Sequence, residues 1–159
     1  MGSADHTTAL EDFICNVPLF HGLNRGEIAT MASHMERLHL ENGETLFNQW
    51  DRADCVYFVE EGALDVLTKS GPDTYTSIAT LHRGRSIGEM SLIDNFPRSA
   101  TVKAKSDAEV VRLSREKFDQ LMVRHADIGI NILKGLARLM AQNLKKTSSR
   151  LADNMLPLG

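Results

Sequence analysis

Apolar positions recur at helical spacing twice near the N-terminus. Leu10, Phe13 and Ile14 share one face, and over 25–35 so do Ile28, Met31, Ala32 and Met35. Asn24 stands three positions before Glu27, the spacing of a capping box. The pattern predicts two short helices within 9–35. From 36 to 114 it changes to short alternating or β-branched runs, broken at Asn42-Gly43, Glu61-Gly62, Gly71-Pro72 and Arg83-Gly84. The clearest strands are 56–59, 64–67, 75–81, 100–104 and 110–113, which predicts an antiparallel barrel or roll. Ser114 is a good N-cap residue, and Phe118, Leu121 and Met122 after it form one amphipathic helical set. A break over 125–127 then precedes a long final helix, 128–155. Gly129 and Gly135 each cost that helix roughly 1 kcal/mol against alanine.

The final helix carries two apolar strips. Leu133, Ala137, Met140, Leu144, Thr147 and Leu151 alternate by four and three residues as a heptad seam, and Ile132, Leu136 and Leu139 run beside it. One strip closing on the roll and the other on a second copy would make a homodimer; both strips packing within one chain is the alternative. The methionines Met31, Met35, Met122 and Met140 fall at helical spacing, where packing is the ordinary explanation.

Length and composition narrow the class. At 159 residues, with 42% apolar and 25% charged residues, the chain has the size and make-up of a single globular domain, 1–159. A net charge of −3 with dispersed basic residues argues against nucleic acid as partner. The local cluster Lys145, Lys146 and Arg150 is accounted for by a helix end. Cys15 and Cys55 have no paired spacing and read as free thiols of a reducing compartment. No apolar run suits a membrane span or a signal peptide, so a cytoplasmic location is expected. Met1-Gly2-Ser3 is set aside, as a segment that is either native or supplied by a vector. His34, His39 and His82 lack ligand spacing, His21 and His125 fall at turns, and no metal is assigned.

The chemistry concentrates in one stretch. Ile87-Gly88-Glu89-Met90-Ser91-Leu92 follows a strand, Ile93-Asp94-Asn95-Phe96 makes a spacer, and Pro97-Arg98-Ser99-Ala100-Thr101-Val102 leads into the next strand. The planar fork of Arg98 matches two phosphate oxygens, and Pro97 limits what the loop loses on ordering. Glu89 is a poor phosphate ligand but suits a sugar hydroxyl beside one. Ser99 adds a donor, and Gly88 leaves room for backbone approach. The plainer reading makes Glu89 and Arg98 a surface ion pair. The glycine, proline, serine and alanine around them favour an anion-binding loop.

This segment resembles the phosphate-binding cassette of the cyclic nucleotide-binding domain family, shared by the catabolite activator protein and the regulatory subunits of cyclic-nucleotide-dependent kinases. The resemblance covers about 19–152. Tyr57-Phe58-Val59 with Gly62, and Gly43-Glu44 before them, extend it. It implies an α+β fold: an eight-stranded antiparallel β-roll (36–114), short N-terminal helices (9–35), a helix in the cassette (87–102) and two terminal helices (115–155). It implies that Glu89 holds a ribose 2′-hydroxyl, that Arg98 and Ser99 hold the cyclic phosphate, and that amides from Gly88, Glu89, Met90 and Ser91 assist, with Ala100 beside them. Ser99 tilts the ligand toward cAMP and leaves cGMP open. Thr147 and Ser148 resemble a Thr-Ser pair that reaches the adenine edge, in part across a dimer. Where the family commonly has Gly-Asp before the third strand, this chain has Trp50-Asp51; the sole tryptophan is placed either as a lid on the pocket or as a cover on a roll edge.

The expected function is therefore ligand sensing without catalysis and without a cofactor, the terminal helices rearranging when nucleotide binds. Its effector would lie in another protein or in a further part of a longer one, such as a transcription regulator continuing past Gly159. A scaffold with a vestigial cassette is one rival. A cupin-type enzyme is another, and needs a histidine-carboxylate cluster that the spacing does not supply.

Overall fold

Two well-buried strands, Cys55–Glu61 and Ala108–Ser114, pair side by side inside one sheet. The computed structural model describes residues 2–155; Met1 and 156–159, with the expectations attached to them, lie outside the described residues. The helices are α1 (Gly2–Cys15), α2 (Arg25–Ala32), α3 (Arg115–Arg124) and α4 (Ala126–Met155), with 3-10 turns at Pro18–Phe20 and Glu89–Leu92. The strands are β1 (Glu36–Leu40), β2 (Thr45–Phe47), β3 (Cys55–Glu61), β4 (Leu64–Lys69), β5 (Tyr75–Leu81), β6 (Ser86–Ile87), β7 (Thr101–Ala104) and β8 (Ala108–Ser114). They form two four-stranded antiparallel sheets, ordered β1-β8-β3-β6 and β2-β7-β4-β5. The chain is an α+β roll of two facing sheets and not a closed barrel.

β3 and β8 explain the layering. Val56 stands opposite Leu113 and Phe58 opposite Val111, and these four pack with Phe20, Ile28, Ile132 and the rest of the helical side. The alternate residues Tyr57, Val59 and Val110 point into the roll with Phe47, Leu64, Val66 and Val102. A strand covered on both faces loses its polar alternation. That is why 56–59 reads as an unbroken apolar run.

β1, β2 and β6 give no clear strand signal, each for a physical reason. β1 alternates charged residues that pair across strands: Arg37 donates to both carboxylate oxygens of Glu60 (2.8 and 2.6 Å), Arg112 Nε donates to Glu36 (2.8 Å), and His39 Nδ1 meets Glu109 (2.5 Å). That carboxylate holds the His39 imidazole above its ordinary pKa. β2 has three residues and a register shift, and β6 has only two.

The helices begin where their caps lie. Asn24 accepts from Glu27 N (2.9 Å) and Glu27 accepts from Asn24 N (2.8 Å), completing the capping box. Ser114 Oγ likewise accepts from Lys117 N. Three boundaries differ from the sequence reading. α1 begins at Gly2, taking in Gly2 and Ser3. α2 stops at Ala32, short of Met35, because Ser33 and His34 turn their side chains onto the Thr30 carbonyl (2.6 and 2.8 Å). Met35 is still buried as the chain turns into β1. The break before α4 is His125 alone.

The glycines of α4 are contact points. A Cβ on Gly135 would overlap the Leu19 carbonyl oxygen, and one on Gly129 would overlap Met122 Sδ. Of the two apolar strips, Ile132 and Leu136 are buried against the core and Leu133 packs at its edge. Ala137, Met140, Leu144, Thr147 and Leu151 are exposed, so packing within this chain accounts for one strip and not for the other. Both cysteines are free thiols. Among the described residues no helix is long and apolar enough to cross a membrane, and no three metal-ligating side chains gather.

Candidate ligand-binding site

The stretch between β6 and β7 folds as a tight arc over the open end of the roll. Gly88 starts it at φ 81°, a left-handed conformation that an L-residue adopts only with strain. A Cβ there would also overlap Arg98 Nη1. Glu89–Leu92 then makes one 3-10 turn, with Ser91 N donating to Gly88 O (3.0 Å) and Ile93 N to Met90 O (3.0 Å). Leu92 plugs into the helical core, and Ser91 is 3% exposed. The arc returns at Arg98, whose backbone is tied on both sides to the loop between β2 and β3. Arg98 N donates to Asp51 O (2.9 Å), and Trp50 N donates to Arg98 O (2.8 Å).

The Arg98 side chain points inward and is 5% exposed. Nη1 donates to Ser91 Oγ (3.0 Å) and Nη2 to the Cys55 carbonyl (2.8 Å). The guanidinium carbon stands 4.2 Å from the Phe47 ring centre and 5.6 Å from that of Tyr57. Both rings stand within cation–π distance of the guanidinium, a favourable arrangement for it. Nε is buried with no hydrogen-bond partner, and among the described residues no carboxylate forms an ion pair with Arg98. Burial pushes the guanidinium pKa below its ordinary value. Cys55 serves through its carbonyl; burial pushes its own thiol pKa up, keeping it neutral.

Glu89 does not pair with Arg98, so the ion-pair reading of these two residues does not hold. It is half-buried and accepts a short hydrogen bond from Ser86 Oγ. Both side chains instead line one cavity of about 790 Å³. Gly88, Met90, Ser91, Ser99 and Ala100 line it as well, so seven of the nine sequence-derived site residues come together. The other two do not. Thr147 and Ser148 are exposed in the outer half of α4 and are not part of the cavity wall; Thr147 Oγ1 donates to Asn143 O (3.0 Å) within the helix.

Several contributors were not foreseen. Phe47 and Val66 give the cavity an apolar floor from two strands of the second sheet, and the exposed Ile78 and Phe96 stand at its mouth. Arg115 is a second. Its Nε donates to Ser91 O (2.6 Å), its Nη2 to Ala53 O (2.9 Å), and it makes short bonds to Asp94 O and Asn95 Oδ1. Two arginines thus hold Ser91 from opposite sides, Arg98 on the hydroxyl and Arg115 on the carbonyl. One signal was available: a cation at the first position of a helix opposes the helix dipole and wants another reason to be there.

A cavity lined by a buried cation without a counter-ion, a carboxylate and apolar walls suits a small ligand carrying an anion, a hydroxyl and a flat apolar face. The profile of the cyclic nucleotide-binding domain family matches residues 37–125, and the chain belongs to this family. It is 32% identical over 118 residues to a cAMP-dependent protein kinase regulatory subunit of Aspergillus fumigatus, covering 74% of this chain and 28% of that protein. It is 32% identical over 134 residues to the cyclic AMP receptor protein of Thermus thermophilus, covering 84% of this chain and 60% of that one. The chain therefore spans less than two thirds of the length of these curated relatives. A solved cyclic nucleotide-binding domain from Methylobacillus flagellatus shares its fold, with a TM-score of 0.79 at 24% identity over 98% of this chain and 87% of the other.

Proposed function

We propose that this chain is a cytoplasmic sensor module that binds a cyclic nucleotide, cAMP ahead of cGMP, and passes binding on as a rearrangement of α3 and α4, with no catalysis of its own. The observation that carries the reading is Arg98: a guanidinium buried without a carboxylate, its Nε unpartnered, facing a cavity of about 790 Å³. Burying a charge without a counter-ion is costly, and an entering phosphodiester supplies the missing partner. Ser99 at the cavity wall adds a hydroxyl donor, and in the family pattern the amides of Gly88 to Ser91 add N–H donors. Glu89 accepts the ribose 2′-hydroxyl in exchange for Ser86. A serine at position 99 favours cAMP on the resemblance alone.

The route outward runs through Ser91. A phosphate competing for Arg98 Nη1 shifts the serine hydroxyl, and Arg115 carries that shift from the Ser91 carbonyl to the first turn of α3. Ligand moves the balance between helix arrangements only by binding one of them better. Calorimetry of the full chain with cAMP and cGMP tests the reading. Saturable heat with both, and tighter binding of cAMP, is expected; no heat and no rise in melting temperature with either would leave a vestigial cassette.

The exposed seam of α4 is the surface on which a second copy would pack, and a partner's α4 is also what would bring Thr147 and Ser148 to a bound base. Ala137, Met140, Leu144 and Leu151 lie open along it. Sedimentation should show a dimer that dissociates on dilution, and Leu144→Asp should leave it monomeric. A parent protein that stays monomeric at every concentration removes both the dimer and the shared base contact.

A further inference from the structure

Trp50 occupies a position that neither backbone preference nor burial explains. It lies in the turn between β2 and β3 at φ 75°, and among the described residues it alone of the non-glycines has positive φ. An L-residue is strained there, and a bulky one especially so. The usual return for placing an indole is burial of its large apolar surface. Trp50 remains 74% exposed. It is one of the residues that line the cavity.

The turn that presents it is held rigidly. Asn48 N donates to the Asp51 carboxylate (2.8 Å), Asp51 N donates to Asn48 O (3.1 Å), and the paired bonds to Arg98 pin the turn to the backbone of the buried cation. The backbone that carries the indole is therefore held beside that of the anchor. Phe96 (75% exposed), Ile78 and Met90 complete an apolar, solvent-facing rim around the same cavity. A buried charged anchor and exposed flat or apolar groups at the mouth match a ligand whose anionic end enters first. The remainder of that ligand would then lie against the rim. Backbone strain at a ligand cavity, beneath a large side chain left exposed, is the pattern of a group held ready for a ligand.

We propose that Trp50 is a ligand-contacting residue of this chain, its indole packing on the bound cyclic nucleotide at the mouth of the cavity. This rests on the binding function proposed above and adds to it a contact from the β2–β3 turn, at a position where the family pattern has glycine. Indole against a nucleotide ring is a favourable stacking surface for any base. Removing the ring by glycine should weaken binding while relieving the backbone.

The test uses the full chain and its only tryptophan. cAMP is titrated while heat and indole emission are followed together, in the parent, Trp50→Gly and Trp50→Phe. The emission of the parent should change saturably with the calorimetric midpoint. Trp50→Gly should bind roughly tenfold more weakly, Trp50→Phe within about threefold of the parent, and the ligand-free glycine variant should melt no lower than the parent. Parent-like affinity in Trp50→Gly, or heat without an emission change, overturns this inference and leaves the binding function standing. A ligand-free glycine variant that melts well below the parent overturns it too, since the ring would then be structural. No heat in the parent with either nucleotide overturns both.

Discussion

Arg98→Ala is expected to weaken cyclic-nucleotide binding by about 2–5 kcal/mol, roughly 30-fold to a few thousandfold in Kd, the range for truncating one partner of a buried charged contact. The ligand-free protein should respond differently. Arg98 there carries an unpartnered Nε and no ion pair, so its burial already costs energy; against this stand two hydrogen bonds and the Phe47 and Tyr57 rings. Arg98→Met keeps much of the volume without the charge. It should melt close to the parent without ligand and show none of the parent's rise with cAMP. Calorimetry and thermal melts on parent, Ala and Met variants separate a binding role from a structural one. An Arg98→Met protein that binds cAMP with parent affinity would reject the anchor.

Arg115→Ala should act on both stability and response. The guanidinium ties the carbonyls of Ser91, Ala53 and Asp94 and the Asn95 amide to the start of α3. Hydrogen bonds from a charged group contribute about 1.5–3 kcal/mol, and these four are partly exposed and mutually dependent, so a loss of about 2–3 kcal/mol overall is expected. For a chain of this size that is a fall of roughly 4–12 °C in melting temperature. The change in hydrogen exchange over α3 on saturation with cAMP should shrink as well, because the serine held by Arg98 is no longer held by the helix. Lysine cannot span the same set of acceptors, so Arg115→Lys should rescue little. A variant with parent stability and an unaltered α3 response would show that the link runs elsewhere.

The parts of the fold legible in advance share a short range. A capping box is two residues three apart, and Asn24 and Glu27 form it as expected. The arc from Gly88 to Arg98 is contiguous, and most of its required residue types sit in one stretch of sequence. The central strands announce themselves because a strand buried on both faces must be apolar throughout. β6, with two residues, and β2, with its shifted register, are too short to carry a period, and β1 hides its strand character behind charges that find partners across the sheet.

The sequence by itself thus determined the class of roll, the arc from Gly88 to Arg98 and the identities of Arg98 and Glu89 as its candidate ligand-binding residues, since local spacing and residue chemistry specify these. Tertiary structure decided what each of them touches. Arg98 meets a carbonyl 43 residues away and leaves Nε open, Glu89 turns to Ser86 instead of Arg98, and Arg115 reaches the arc from a different helix. It also decided that Trp50 lines the cavity while Thr147 and Ser148 lie away from it. The physical reason is that strand pairing and sheet packing bring together residues distant in the chain, and no period or motif in a single sequence records which of them will meet.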